Sequence, residues 1–285
     1  MNTLLDTKLA ATSRKKNTTR MEILGVLNHK RTQIAFYDTP GFLRLDGPDS
    51  PKLRTAAFDA AAKADIILLM VDAAHPFTPV YQDLLADLIK LALAKAKMEI
   101  VLILNKVDLV EPKHRLLEAT HDIVSLINGI KLGPENIKDA CLDTTTFMIS
   151  ALHDDGIKDL KSYLFSLAVP RQWVIPDSAG ITDLSVEERV EQVVLENLLD
   201  NVHEEVPYIA EIVCKGVSPL ASNRLRVDVD ILVDTAGQQR IVVGHQGRTL
   251  VKIRQASVDI LQKIFEKQVI LYLWVNTKGR EELKS

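Results

Sequence analysis

Two apolar runs limit what this chain can fold into: Ile66 to Val71, closing on Asp72, and Glu99 to Leu104, closing on Asn105. Unbroken runs of that length read as strands buried on both faces, the habit of parallel sheets covered by helices. Between them, Val80 to Ala96 repeats Leu84, Leu88 and Leu91 on one stripe, which predicts a helix. Arg115 to Ile127 and Ile157 to Ala168 predict two more helices around a last strand, Thr146 to Ile149. Glu22 to Leu27 and Gln33 to Tyr37 predict strands joined by a short turn at Asn28-His29-Lys30. Strands alternating with helices predict an α/β domain with a mainly parallel sheet. Ligand-binding loops in such a domain lie at the carboxyl ends of the strands.

Pro170 to Asp183, with two prolines and a glycine, reads as a linker, and the pattern changes after it. Ser185 to Leu199 predicts a helix with Ser185 as N-cap and Glu188 at the capping-box position. Ile209 to Lys215, Arg226 to Asp234 and Arg240 to Val243 read as strands, the second with Val227, Val229 and Ile231 inward and Asp228 and Asp230 outward. Gly244-His245-Gln246-Gly247 forms a tight loop opening a helix to Phe265, with Ile253, Ala256, Ile260 and Ile264 on its buried face. Gln268 to Val275 closes the region as a strand. The expected division is 1–169, a linker at 170–184, and 185–285.

Charge is uneven beneath a net −3. Met1 to Arg31 holds seven Lys/Arg against two acids, and Val202 to Ser285 twelve against ten. A weakly basic C-terminal region permits nucleic acid without demanding it. Cys141 and Cys214 stand far apart, which argues against a disulfide framework or a zinc site. Met1 to Arg20 is Ser/Thr-rich and basic with Asp6 as its only acid, a composition that fits a transit peptide. The rival reading makes Asn2-Thr3-Leu4-Leu5 the body of a helix and Thr12 to Arg20 a basic loop.

The loops that close the strands carry the chemistry. Asp38-Thr39-Pro40-Gly41 follows Gln33–Tyr37, and Asn105-Lys106-Val107-Asp108 follows Glu99–Leu104. Their order and context resemble the guanine-nucleotide site of a P-loop GTPase. The Asp108 carboxylate offers two acceptors to the paired N–H donors that guanine presents on one edge and adenine does not. Asn105 would tie the loop and reach the base while the Lys106 stem covers its face. Ser150-Ala151-Leu152 would bring a backbone N–H to the guanine carbonyl. Asp38 would hold a Mg²⁺-bound water, and the Gly41 N–H would meet the γ-phosphate. No Gly-x-x-x-x-Gly-Lys-Ser/Thr phosphate loop occurs in the sequence.

Gly244-His245-Gln246-Gly247 with Arg248 resembles the GxxG loop of a KH domain, which clamps single-stranded RNA. His245 and Gln246 replace the usual basic pair, leaving the charge to Arg248 and Lys252.

In this order the strings resemble the Era family: a GTPase domain joined to a C-terminal KH domain of the prokaryotic type. Thr12 to Arg20 is similar to the family's switch I, and Glu205-Val206-Pro207-Tyr208 and Leu273-Trp274-Val275 are further family-like strings. The resemblance implies a P-loop GTPase-like parallel sheet followed by an α+β KH domain, with GTP or GDP and Mg²⁺ as cofactors. Thr18 or Thr19 would ligate Mg²⁺ beside Asp38. Phe42 stands where many GTPases carry a catalytic Gln, which implies slow hydrolysis. The implied partner is the 3′ region of small-subunit ribosomal RNA, in subunit maturation. The polar excursion before Ser150 and Leu160 to Trp173 are similar to the family's mitochondrial branch, implying the mitochondrial matrix. In the family, Asn2-Thr3-Leu4-Leu5 follows the phosphate loop directly. The chain is therefore expected to lack the first strand and that loop, leaving Gln33–Tyr37 and Ile66–Val71 without the strand between them.

Overall fold

The computed structural model describes residues 1–12, 22–39, 55, 59–75, 85–86, 89, 99–132, 144–176, 180–203 and 205–278. The helix expected over Val80–Ala96, including Leu84, Leu88 and Leu91, lies largely outside them. So do most of the polar excursion before Ser150, and Thr18, Thr19, Gly41 and Phe42. The chain divides into two compact units, one of residues 1–29, 35–53 and 172–285, the other of 30–34 and 54–171.

In the second unit, β3 (Ile66–Asp72), β4 (Glu99–Asn105) and β5 (Thr146–Met148) form a parallel sheet in that order. Val101, Leu102, Ile103 and Leu104 are fully buried. Leu102 and Leu104 pack with Ile123, Val124 and Ile127 of α2 (His114–Leu132), and with Leu85 and Ile89. Each such side chain contributes about 1.5–3 kcal/mol relative to exposure. The expectation for β3 needs correction: its residues are only half-buried and Met70 is 49% exposed. It is the edge of the described sheet, and an edge strand lacks a neighbour on one side. The sheet's parallel register sets Asp72 beside Asn105 at the carboxyl end, where α3 (Ile157–Ser166) follows a turn after β5.

The first unit opens with a single helical turn, α1 (Asn2–Leu5). The hairpin of β1 (Ile23–His29) and β2 (Thr32–Asp38) is a separate two-stranded sheet among the described residues. Its turn carries Lys30 at φ 56. Part of the expected linker pairs with β1: the Val26 N–H donates to the Ile181 carbonyl at 2.8 Å, and the Thr182 hydroxyl to the Leu24 carbonyl at 2.7 Å.

The C-terminal region of that unit builds its own core. Helix α4 (Val186–Asn201) starts with the expected capping box: the Glu188 N–H donates to the Ser185 hydroxyl and the Ser185 N–H to the Glu188 carboxylate. A short turn, α5 (Val206–Ile209), leads into β6 (Glu211–Leu220), antiparallel to β7 (Arg224–Val233), which pairs in parallel with β8 (Gln268–Thr277). Val227, Val229 and Ile231 are fully buried as expected, but Asp230 is also buried, 3.6 Å from Lys215.

The strand expected over Arg240–Val243 is instead α6 (Ala236–Val243). Thr235 and Gln238 form a capping box that starts a helix there, and the local cap overrides the β-branched composition. Helix α7 (Arg248–Phe265) buries Ile253, Ser257 and Leu261, a stripe rotated from the expected one, with Ile260 and Ile264 partly buried beside it.

Candidate functional site

The Asn105-Lys106-Val107-Asp108 loop starts where β4 ends. Asn105 turns its side-chain oxygen inward, accepting the Lys106 N–H at 2.8 Å and the Ala151 N–H at 3.0 Å. Both acceptor directions are thereby used, and the amide nitrogen donates one hydrogen to the Met70 sulfur at 3.7 Å. That leaves its second N–H for a ring-nitrogen acceptor such as guanine N7. Of the Ser150-Ala151-Leu152 segment expected to bring a backbone N–H to the guanine carbonyl, the Ala151 N–H is donated to Asn105.

Lys106 adopts a left-handed φ of 64, so the chain turns sharply into a 3₁₀ turn, Val107–Leu109. The Val107 N–H then bonds the Ile149 carbonyl at 3.2 Å, and the Lys113 ammonium caps the Val107 and Val110 carbonyls. The Lys106 ammonium reaches Asp72 at 2.7 Å, the register partner of Asn105. Asp72 also accepts from the Ala74 N–H and lies 3.0 Å from His75 Nδ1. Burial pulls the Asp72 carboxyl upward, but Lys106, Ala74 and His75 together hold it below the usual carboxylate range.

Asp108 sits on the 3₁₀ turn with its carboxylate partly accessible, held below its ordinary pKa first by the facing Ser150 hydroxyl, against burial, which raises it, and then by its own N–H, His153 and Lys113. It is therefore an ionised double acceptor at neutral pH. Ser150 is 1% exposed and sets its hydroxyl against that carboxylate. Asp72, His75 and His153, the last 3.8 Å from Asp108, were not singled out from sequence. The Asp at the end of β3 was a detectable signal, because it closes an apolar run as Asn105 does.

Asp38 ends β2 in the other unit, half-buried, with burial pushing its carboxyl up. Gly41, Thr18 and Thr19, expected around the phosphates and Mg²⁺, lie outside the described residues.

The GxxG loop joins two helices, α6 and α7, rather than a strand and a helix. Gly244 and Gly247 have φ 72 and 77, the region glycine tolerates best, and Gln246 between them is left-handed at φ 53. A Cβ on Gly244 would meet the Thr249 hydroxyl at 2.1 Å, whereas nothing lies within 4 Å of one on Gly247. Gly244 is thus fixed by packing, and Gly247 leaves open space for a backbone to approach. His245, Gln246, Arg248 and Lys252 are exposed. No side chain caps the N-terminus of α7, and its first N–H, that of Arg248, is donated to the His245 carbonyl.

A family model described as "50S ribosome-binding GTPase" matches residues 1–106, and one described as "KH domain" matches residues 205–282. The GTPase Era of Mesorhizobium japonicum is 32% identical over 278 residues, spanning 98% of this chain and 83% of that protein. This chain belongs to the Era family. Another Era relative, the GTP-binding protein ERG of Arabidopsis thaliana, is 32% identical over 284 residues, 97% of this chain and 61% of that protein. Among solved structures, Era in complex with MgGDPNP and nucleotides 1506–1542 of 16S ribosomal RNA superposes with a TM-score of 0.82 at 27% identity, covering 99% of this chain and 89% of that one. A point variant of Aquifex aeolicus Era bound to GDP.AlF4⁻ gives the same TM-score at 28% identity, covering 97% of this chain and 87% of that one. The chain has the Era-like fold, a G domain followed by a KH domain.

Proposed function

We propose that this Era-family chain binds guanine nucleotide through Asn105, Lys106, Asp108, Ser150 and Ala151, and ribosomal RNA through Gly244, His245, Gln246, Gly247, Arg248 and Lys252. The observation that carries the nucleotide half is the Asn105 side chain, locked by two backbone N–H groups so that its amide faces out beside the ionised Asp108. Fixed donors and acceptors of this kind bind a base at low ordering cost. The base half of the site therefore fits GTP or GDP. Asp38, raised by burial, is a carboxylate that Mg²⁺ would stabilise, and the family resemblance gives Thr18 or Thr19 to the metal and the Gly41 N–H to the γ-phosphate. Bound nucleotide would supply the switch between two states of the protein, and this chain's residues select the base.

Era in its solved complex is bound to nucleotides 1506–1542 of 16S ribosomal RNA, and the KH domain of this chain supports the 3′ region of small-subunit RNA as the partner here, with a role in subunit maturation. The plant relatives support an organellar setting, and the mitochondrial matrix is the compartment proposed. Residues 1–169 are assigned to the G domain, 170–184 to the linker and 185–285 to the KH domain; limited proteolysis within 170–184 should release the last as a stable fragment.

A second reading makes the chain a KH-domain RNA-binding protein whose G domain neither binds nor hydrolyses GTP. Titration with a fluorescent GDP analogue in Mg²⁺, with ATP as competitor, separates the two. Guanine-specific binding supports the first reading, and no binding leaves RNA recognition as the activity.

A further inference from the structure

The outer face of the C-terminal sheet carries a cluster that neither loop uses. Along β8, Val269, Leu271 and Val275 are buried in the core shared with α4, α6 and α7. The two-residue period of a strand puts Tyr272 and Trp274 on the opposite side, 44% and 43% exposed. Their rings stack with centroids 5.9 Å apart and planes 14° from parallel. From the adjacent strand β7, the Arg226 guanidinium lies 4.8 Å over the Tyr272 ring. Asp228 fixes that guanidinium by accepting from Nε at 2.8 Å and from Nη2 at 2.9 Å. The result is a row of three flat, exposed π groups held in place before any ligand arrives.

We infer that Tyr272, Trp274 and Arg226 form a second single-stranded RNA site, on which unpaired bases stack. It rests on the reading of this domain as RNA-binding and lies across the sheet from the helices that carry the GxxG loop. Aromatic rings and arginine planes are the surfaces on which splayed bases stack, and such stacking tolerates any sequence because every base has a π face. The same face carries Arg224, Arg226 and Lys215 against Asp228 and Asp230, a balance that favours a polyanion without gripping its backbone strongly. Bases rather than phosphates therefore carry recognition. An RNA held by both sites would pass around the edge strand β8.

The chain has two tryptophans, so Trp173→Phe leaves Trp274 as the sole indole reporter. The full chain with that change is titrated with single-stranded oligoadenylate of about ten nucleotides, within the usual site size, and with an abasic ribose-phosphate oligomer of equal length. The expected result is quenching of Trp274 emission by the oligoadenylate and none by the abasic oligomer. Tyr272→Ser, with an unchanged circular dichroism spectrum, should weaken oligoadenylate binding about tenfold. The quenching should persist with Gly247→Asp added. RNA binding detected by anisotropy with Trp274 emission unchanged would overturn the second site, leave the GxxG reading standing and turn this face to a protein partner. No RNA binding in any form of the chain would overturn both.

Discussion

Asn105 and Ala151 are joined by one hydrogen bond of 3.0 Å across 46 positions of sequence, and it fastens the loop after β5 to the loop after β4. Asn105→Ala removes the acceptor for two N–H groups at once. A lost bond of this type costs about 1–3 kcal/mol where a donor is left unpaired. Guanine-nucleotide affinity should fall at least tenfold, and hydrogen exchange at the Ala151 amide should accelerate while amides of β7 keep their protection.

The two loop glycines are expected to differ in cost. Gly244→Ala carries both a positive φ and a 2.1 Å approach to Thr249, so strain of about 1–2 kcal/mol is joined by overpacking of about 1–3 kcal/mol. Gly247→Ala carries only the backbone term. Thermal unfolding should place Gly244→Ala below Gly247→Ala. Gly247→Asp should abolish RNA binding through the loop, read by RNA anisotropy, and leave nucleotide affinity alone.

Lys8 and Glu196 make a long-range ion pair at 2.6 Å, with the Thr12 hydroxyl donating to the same carboxylate at 2.9 Å. Glu196 is 8% exposed, so Lys8→Met strands a buried carboxylate. The expected loss is about 2 kcal/mol, visible as a lower denaturant midpoint. Adding Glu196→Gln should recover most of it, because the uncompensated charge is then gone.

Glu191 accepts the Cys214 N–H at 2.9 Å, and burial raises its pKa, with that N–H lowering it and Glu188, Glu187 and Glu211 raising it further. A carboxyl raised on folding binds its proton more tightly in the native state, so its contribution to stability grows as pH falls and is lost as pH rises through the folded value. Glu191→Gln keeps an acceptor and removes the charge. It should raise the melting temperature slightly at pH 7.5 and leave it nearly unchanged at pH 4.

Much of this was legible in the sequence for local reasons. Val101 to Leu104 forms a strand because an unbroken apolar run has nowhere to go but between two covered faces. The α4 capping box was visible as Ser185 and Glu188. The misreadings came from context. Ile241-Val242-Val243 has strand composition, yet Thr235 and Gln238 upstream start a helix that runs through it. Asp230 alternates as an outward residue and is nonetheless buried, because Lys215 on the neighbouring strand balances it. Ile66–Val71 has the composition of a strand buried on both faces but is only half-buried, at the edge of the described sheet, as its expected lack of a neighbour implies. In the candidate site, the order and spacing of Asn105, Lys106 and Asp108 were visible in the sequence. The approach of His153 to Asp108 was not, since it depends on two loops meeting across the sheet.

The most direct test concerns Asp108. Asp108→Asn exchanges a double acceptor for one acceptor and one donor, which suits the xanthine edge instead of the guanine edge. In competition titrations of guanine against xanthine diphosphates, the native chain should prefer guanine by at least tenfold, and the variant should invert that preference. An unchanged guanine preference in the variant, or no base preference in either protein, would contradict the account.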